Sequence, residues 1–379
     1  MTSFSYTGCR MLTADGWVES PEITVESGRI TRITSGGHGR SSRCIVPGFI
    51  DTHIHGAAGS DVMDPSDDAL HSIAGALPQE GTTSFLATTI TSPEKEILDA
   101  LRRVKAYKPG QGAAMLGVHL EGPFIHPARK GAQPEAHIQT PDPEVFQQMQ
   151  EASGGRIRMM TMAPELDEAG LVEKASAEGV VVSMGHTDAT AEASREGFRR
   201  GVRQATHFFN GMRGLHHREI GVVGAVFRDP DVQVELIADG IHVSPEACAL
   251  TYELLGADRI TLITDAMRAK GLKDGTYTLG GQEVTVTGRT AVLADGTLAG
   301  SVLPMAEAVS NIQAFTGCSL EEAVQMASTN PARILGIDSQ KGTLGPGMDA
   351  DWTILDESGA VVETVSCGNV VFSRGGEER

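Results

Sequence analysis

The chain has 379 residues, 40% of them hydrophobic and 21% charged, and a formal net charge of −18 at pH 7. That composition is globular with ample length for a core. It lacks both the basic run that nucleic acid or an anionic membrane would require and an apolar run near the roughly 18 residues of a membrane span. Five scattered cysteines without C-x-x-C spacing point to reduced thiols and a cytoplasmic protein, and the N-terminus carries no signal-peptide pattern.

Residues 1–46 read as short strands broken by turns such as Glu26-Ser27-Gly28, and residues 341–379 read alike. Neither end can bury a sheet alone, so both are expected to join in one small β-sandwich domain. Between them, in 47–340, apolar runs alternate with amphipathic segments. The strand candidates are 44–55, 83–89, 113–122, 156–165, 179–187, 203–210, 232–242 and 259–267. Helices are expected over 65–80 with Asp64 as cap, over 92–107 with Ser92 as cap, and over 188–200 and 244–256. Eight strands alternating with helices predict an α/β fold, a (β/α)8 barrel of the TIM type. An open doubly wound sheet is the alternative, but no G-x-G-x-x-G follows the first strand. Residues 270–301 read as a β-hairpin insertion after the eighth.

Reactive groups of such a barrel sit at the C-terminal ends of its strands. His53 and His55 end the first, Glu121 the third, His186 the fifth, His207 the sixth and Asp265 the eighth. Each alone has an ordinary reading as a turn residue, a helix-start residue or a cap; six at one rim point to shared chemistry. Four imidazoles and two carboxylates are nitrogen and oxygen ligands suited to Zn²⁺, and also to Fe²⁺, Mn²⁺ or Co²⁺, with one or two ions per chain. Asp265 is the natural acid/base. A metal lowers the pKa of water towards about 7, so hydrolysis of a carbonyl bond is the economical reaction.

The strand-one H-x-H, the later Glu, two separated His and the final Asp resemble the amidohydrolase superfamily. Within it, HLEGPF (119–124), MGHTDAT (184–190), THFFNGM (206–212), IADGIHV (237–243), ITDAM (263–267) and GTLAGSVLPM (296–305) resemble the N-acetylglucosamine-6-phosphate deacetylase family. That resemblance implies cleavage of the acetamide of an amino-sugar phosphate. It implies Glu121, His186 and His207 as ligands of the common metal site, His53 and His55 as ligands of a second metal, and Asp265 as catalytic acid/base. It also implies substrate contacts from Ala132, Gln133, Asn210, Gly211 and the turn Leu298, Ala299 and Gly300. Arg218 and His242 match phosphate-contacting positions, one of them reaching across the interface of a homodimer. Gln133 stands where the family usually has a histidine; an amide can donate a hydrogen bond but cannot become cationic. His126 and His137 are the alternatives for that role.

Overall fold

The computed structural model describes residues 2–36 and 42–375. Eight strands run parallel in chain order: Phe49–Ile54, Thr82–Thr88, Ala114–Glu121, Ile157–Met162, Val181–Met184, Val202–Ala205, Gln233–Leu236 and Ile260–Leu262. Each overlaps one of the eight expected runs, but the run 44–55 divides: Arg43–Pro47 pairs in the terminal sheet and only Phe49–Ile54 joins the barrel. The first strand is buried at every position, as expected for a parallel strand covered on both faces. The barrel closes where the chain beyond the eighth strand returns to the first. There the Asp265 N–H donates to the His53 carbonyl (2.8 Å) and the His55 N–H to the Ala266 carbonyl (2.9 Å).

The helices outside follow their apolar spacing. In Glu94–Ala106 the buried residues are Ile97, Ala100, Leu101 and Val104, one face of a helix, with acids in the first turn and bases in the last. Two expected caps are corrected. Ser92 makes no capping bond, because Pro93 takes an extended ψ of 135° and is itself the boundary residue. Asp64 does not start the first helix, which spans Ala69–Ala76. Its carboxylate instead accepts from the Asp61 N–H (2.9 Å) and from Arg268 (2.8 Å), and this turn delays the helix.

The termini build two sheets. Thr2–Ser5, Pro21–Glu26 and Arg29–Ser35 form one; Cys9–Thr13, Gly16–Glu19 and Arg43–Pro47 join Trp352–Leu355, Val361–Ser366 and Asn369–Ser373 in the other. One apolar cluster, including Phe4, Met11, Ile23, Ile45, Trp352 and Val365, is shared between them, so the core of this layer needs both ends of the chain. The insertion folds as three antiparallel strands, Gly275–Leu279, Gln282–Thr287 and Thr290–Val292. It packs through Leu279, Val284 and Ala299 against Ile90 and Met267 beside the barrel mouth.

Candidate metal centre and substrate cavity

All six residues expected at the rim meet in one place. Glu121 Oε1 lies 3.1 Å from His186 Nε2 and 3.1 Å from His207 Nε2, and those two nitrogens are 3.1 Å apart. His186 Nδ1 donates to the Arg129 carbonyl (2.9 Å) and His207 Nδ1 to the Asn210 carbonyl (3.1 Å). With the ring proton on Nδ1, each neutral imidazole presents a lone pair at Nε2. Three acceptor atoms therefore converge with no hydrogen between them, which calls for a cation. Ligands at about 2.0–2.1 Å from a tetrahedral zinc are about 3.3 Å apart, close to this triangle.

A second set adjoins it. His55 Nε2 is 3.3 Å from Glu121 Oε2 and 3.3 Å from Asp265 Oδ1; His53 Nε2 is 3.5 Å from the same Asp265 oxygen. His53 Nδ1 faces Glu235 Oε2 at 3.0 Å, while its Nε2 is buried without a hydrogen-bond partner among the described residues. An orphaned ring nitrogen aimed at two carboxylates fits a metal ligand. Among the described residues three groups of buried donors lie close enough to share an ion: Glu121, His186 and His207; His53, His55 and Asp265; and His53, His119 and Glu235. The first two fit one, whereas in the third both nitrogens of His119 are already engaged by protein oxygens.

The backbone holds this convergence under strain. His186, His207 and Asp265 have φ of 47°, 29° and 48°, a left-handed conformation that costs a non-glycine residue about 1–3 kcal/mol. Each is held by a long-range bond, His207 through its own N–H, which donates to Glu235 Oε2 at 3.4 Å. The His126 N–H donates to the His186 carbonyl (2.8 Å), and the Ser301 N–H to the Asp265 carbonyl (2.7 Å). Strain of this kind at three rim residues is what positioning them together requires.

Electrostatics follow the same geometry. Burial disfavours protonated His53, but Asp265, Glu121 and Glu235 outweigh it and raise its pKa to about 9. Burial would raise Asp265; the rings of His53 and His55 overcome this and hold it at about 2. Burial would likewise raise Glu121, yet His53 and the surrounding rings of His186, His207 and His55 keep it well below the usual range. Positive charge at the rings holds these carboxylates ionised, the charge that a bound cation would supply in place of the ring protons.

The amidohydrolase family model matches residues 44–371. The chain belongs to the amidohydrolase family. Among curated relatives, it is 45% identical over 334 residues to N-acetylglucosamine-6-phosphate deacetylase of Bacillus subtilis (strain 168), covering 86% of this chain and 84% of that one. It is 40% identical to N-acetylgalactosamine-6-phosphate deacetylase of Escherichia coli O157:H7, over 94% and 96% of the two chains. A solved structure of a mutant N-acetyl-D-glucosamine-6-phosphate deacetylase from Mycobacterium smegmatis, in complex with N-acetyl-D-glucosamine-6-phosphate, superposes with a TM-score of 0.91. Its identity to this chain is 31%, with coverage of 98% and 99%.

In this amidohydrolase the metal-ligand candidates other than the fully buried His53 floor a cavity of about 420 Å³. Ala132, Gln133, Asn210, Gly211, His242, Leu298 and Gly300 line it, as does Asp265. Ala299 is buried behind the wall in the apolar cluster of the insertion. Arg218 is exposed, its guanidinium 2.8 Å from His217 Nε2, and neither it nor His126 or His137 lines the cavity. His242 Nδ1 lies 2.7 Å from Asp239 Oδ2, which fixes the ring.

Sequence reasoning missed Glu235, His119 and Asp51. Glu235 is a charged residue inside the apolar run VQVELIA, a signal available in the sequence. His119 has both nitrogens satisfied, by the Thr52 carbonyl (3.0 Å) and Thr161 Oγ1 (2.7 Å), so it is a structural histidine. Asp51 accepts from Thr264 Oγ1 (2.5 Å) and from the His53 N–H (3.2 Å), tying the first strand to the residue before Asp265.

Proposed function

We propose that the protein hydrolyses the acetamide of N-acetyl-D-glucosamine 6-phosphate to D-glucosamine 6-phosphate and acetate. The observation that carries this reading is the convergence of Glu121, His186 and His207 beside Asp265 on the floor of a cavity open to a sugar-sized ligand. When bound, a divalent metal supplies a Lewis acid for the amide carbonyl and lowers the pKa of water. Glu121, His186 and His207 would hold one ion; His53, His55 and Asp265, with the second oxygen of Glu121, would hold another. Zinc suits these donors best, and iron, manganese and cobalt are compatible.

Asp265 does the proton work. Its carboxylate is ionised, so it accepts a proton as water attacks the carbonyl and returns that proton to the departing amine. Ala132, Asn210, Gly211, Leu298 and Gly300 flank the sugar. Among the described residues the cavity wall has neither lysine nor arginine. His242, oriented by Asp239, therefore meets the phosphate from within the chain. Arg218 meets it from a second copy in a homodimer, because in its own chain it stands outside the cavity. Five free cysteines agree with a reducing cytoplasmic setting.

Acetate release from N-acetylglucosamine 6-phosphate, its galacto epimer and unphosphorylated N-acetylglucosamine tests this reading. Highest kcat/KM is expected on the first. Preference for the epimer would reassign the substrate, and equal rates with and without phosphate would remove the phosphate site.

A further inference from the structure

Gln133 is buried, and both ends of its amide are in use. Its Oε1 accepts the N–H of the buried Thr91 at 2.8 Å, and its Nε2 donates to Glu121 Oε2 at 2.7 Å. A backbone N–H can only donate, so Thr91 fixes which end of the amide is the acceptor and turns the NH₂ group towards Glu121. The two oxygens of Glu121 are thereby divided. Oε1 faces His186 and His207, each at 3.1 Å, and lies 3.6 Å from His53 Nε2, whereas Oε2 faces Gln133 and, at 3.3 Å, His55.

We infer that Gln133 is a positioning residue for the carboxylate shared by the two metal half-sites, and that it governs retention of the second metal rather than the first. A carboxylate oxygen accepts in two lone-pair directions, so the donor from Gln133 leaves one direction of Oε2 available. Without that donor, the carboxylate is free to turn about its terminal torsion, a soft one for Glu. The first half-site still has both imidazoles and whichever oxygen faces them. The second half-site loses its claim on Oε2 and keeps His53, His55 and Asp265. The loss is therefore selective. This gives Gln133 a task different from contacting the sugar, and it rests on the two-metal reading above.

The loop bearing Gln133 has a separate anchor that supplies a control. Gln282 Nε2, on the inserted hairpin, donates to the Ala132 carbonyl at 2.6 Å without touching Glu121. Full-length wild type, Q133L, Q133M and Q282L are brought to equilibrium with Zn²⁺ at rising free concentration, and bound zinc is counted. Wild type and Q282L are expected to fill in two steps to two equivalents. Q133L and Q133M should fill the first step as wild type does and require about 10- to 100-fold more free zinc for the second. With sugar phosphate as substrate, kcat should fall at limiting zinc and recover at high zinc, with KM little changed. Three results overturn the proposal: a second step in both Gln133 variants that matches wild type, a first step weakened as much as the second, or a Q282L shift equal to theirs. A wild-type chain that saturates at one equivalent refutes instead the two-metal reading itself.

Discussion

Glu235 Oε2 lies 3.0 Å from His53 Nδ1, and neither side chain is exposed to solvent. The seventh barrel strand thus fixes the ring orientation of a histidine on the first. A carboxylate behind a ligating imidazole sets its tautomer and raises its basicity. E235L is expected to weaken zinc at the half-site of His53 by about 10- to 100-fold, while E235Q, which still offers an acceptor oxygen, loses less. Zinc titration of both variants checks the order; equal affinities in all three proteins would show that the contact orients nothing.

Asp265→Asn removes the proton acceptor and leaves its size. Turnover is expected to drop about 10²- to 10⁴-fold, as for loss of a general acid/base, with the thermal midpoint nearly unchanged. Near-normal kcat would mean that Asp265 serves only to close the barrel seam.

The pair His53 and His55 should set the metal count. His53→Gln with His55→Asn is expected to lower the zinc capacity from two equivalents to one and leave reduced, measurable activity. Chelation of the wild type should abolish activity, and added Zn²⁺ should restore it. A double variant still holding two ions would move the second site elsewhere.

Arg218→Ala should raise KM for the phosphorylated sugar and leave hydrolysis of unphosphorylated N-acetylglucosamine nearly unchanged. A hydrogen-bonded charge pair that is desolvated on binding is worth about 2–5 kcal/mol when one partner is removed. If Arg218 acts from a second copy, mixing R218A with an inactive D265N chain should restore part of the lost affinity. Equal losses on both sugars would make it a structural cation.

Asp239 provides a pH dependence away from the metal ligands. Burial opposes its charge, but the His242 ring and the N–H groups of Ile241 and His242 hold its carboxyl below the ordinary range. A depressed folded pKa adds stability above the unfolded value, about 3.9, and that stability is lost as pH falls through the folded value. The urea midpoint of wild type should therefore exceed that of D239N most clearly near neutrality, and the gap should narrow below about pH 4. A gap independent of pH would assign the stabilisation to something other than this carboxylate.

Much of the architecture was legible because it is written in local period and chain order. Apolar runs such as FLAT and MLGVHLE specify buried parallel strands, and a polar residue just past each run falls at the same rim whatever the strands' exact register. His53, His55, Glu121, His186, His207 and Asp265 could be read in this way, since position along a strand is a one-dimensional property. The caps at Asp64 and Ser92 could not, because competing bonds from Arg268 and the backbone angle of Pro93 overrode the local preference. Only the closed barrel decided that Glu235 stands behind His53, 182 residues away, and only the folding of the loop after the third strand onto the barrel mouth decided that Gln133, at the cavity wall, bonds Glu121. Such contacts depend on which side chains face inward at one height of the barrel, and that height is set by strand register and closure rather than by any neighbour in sequence.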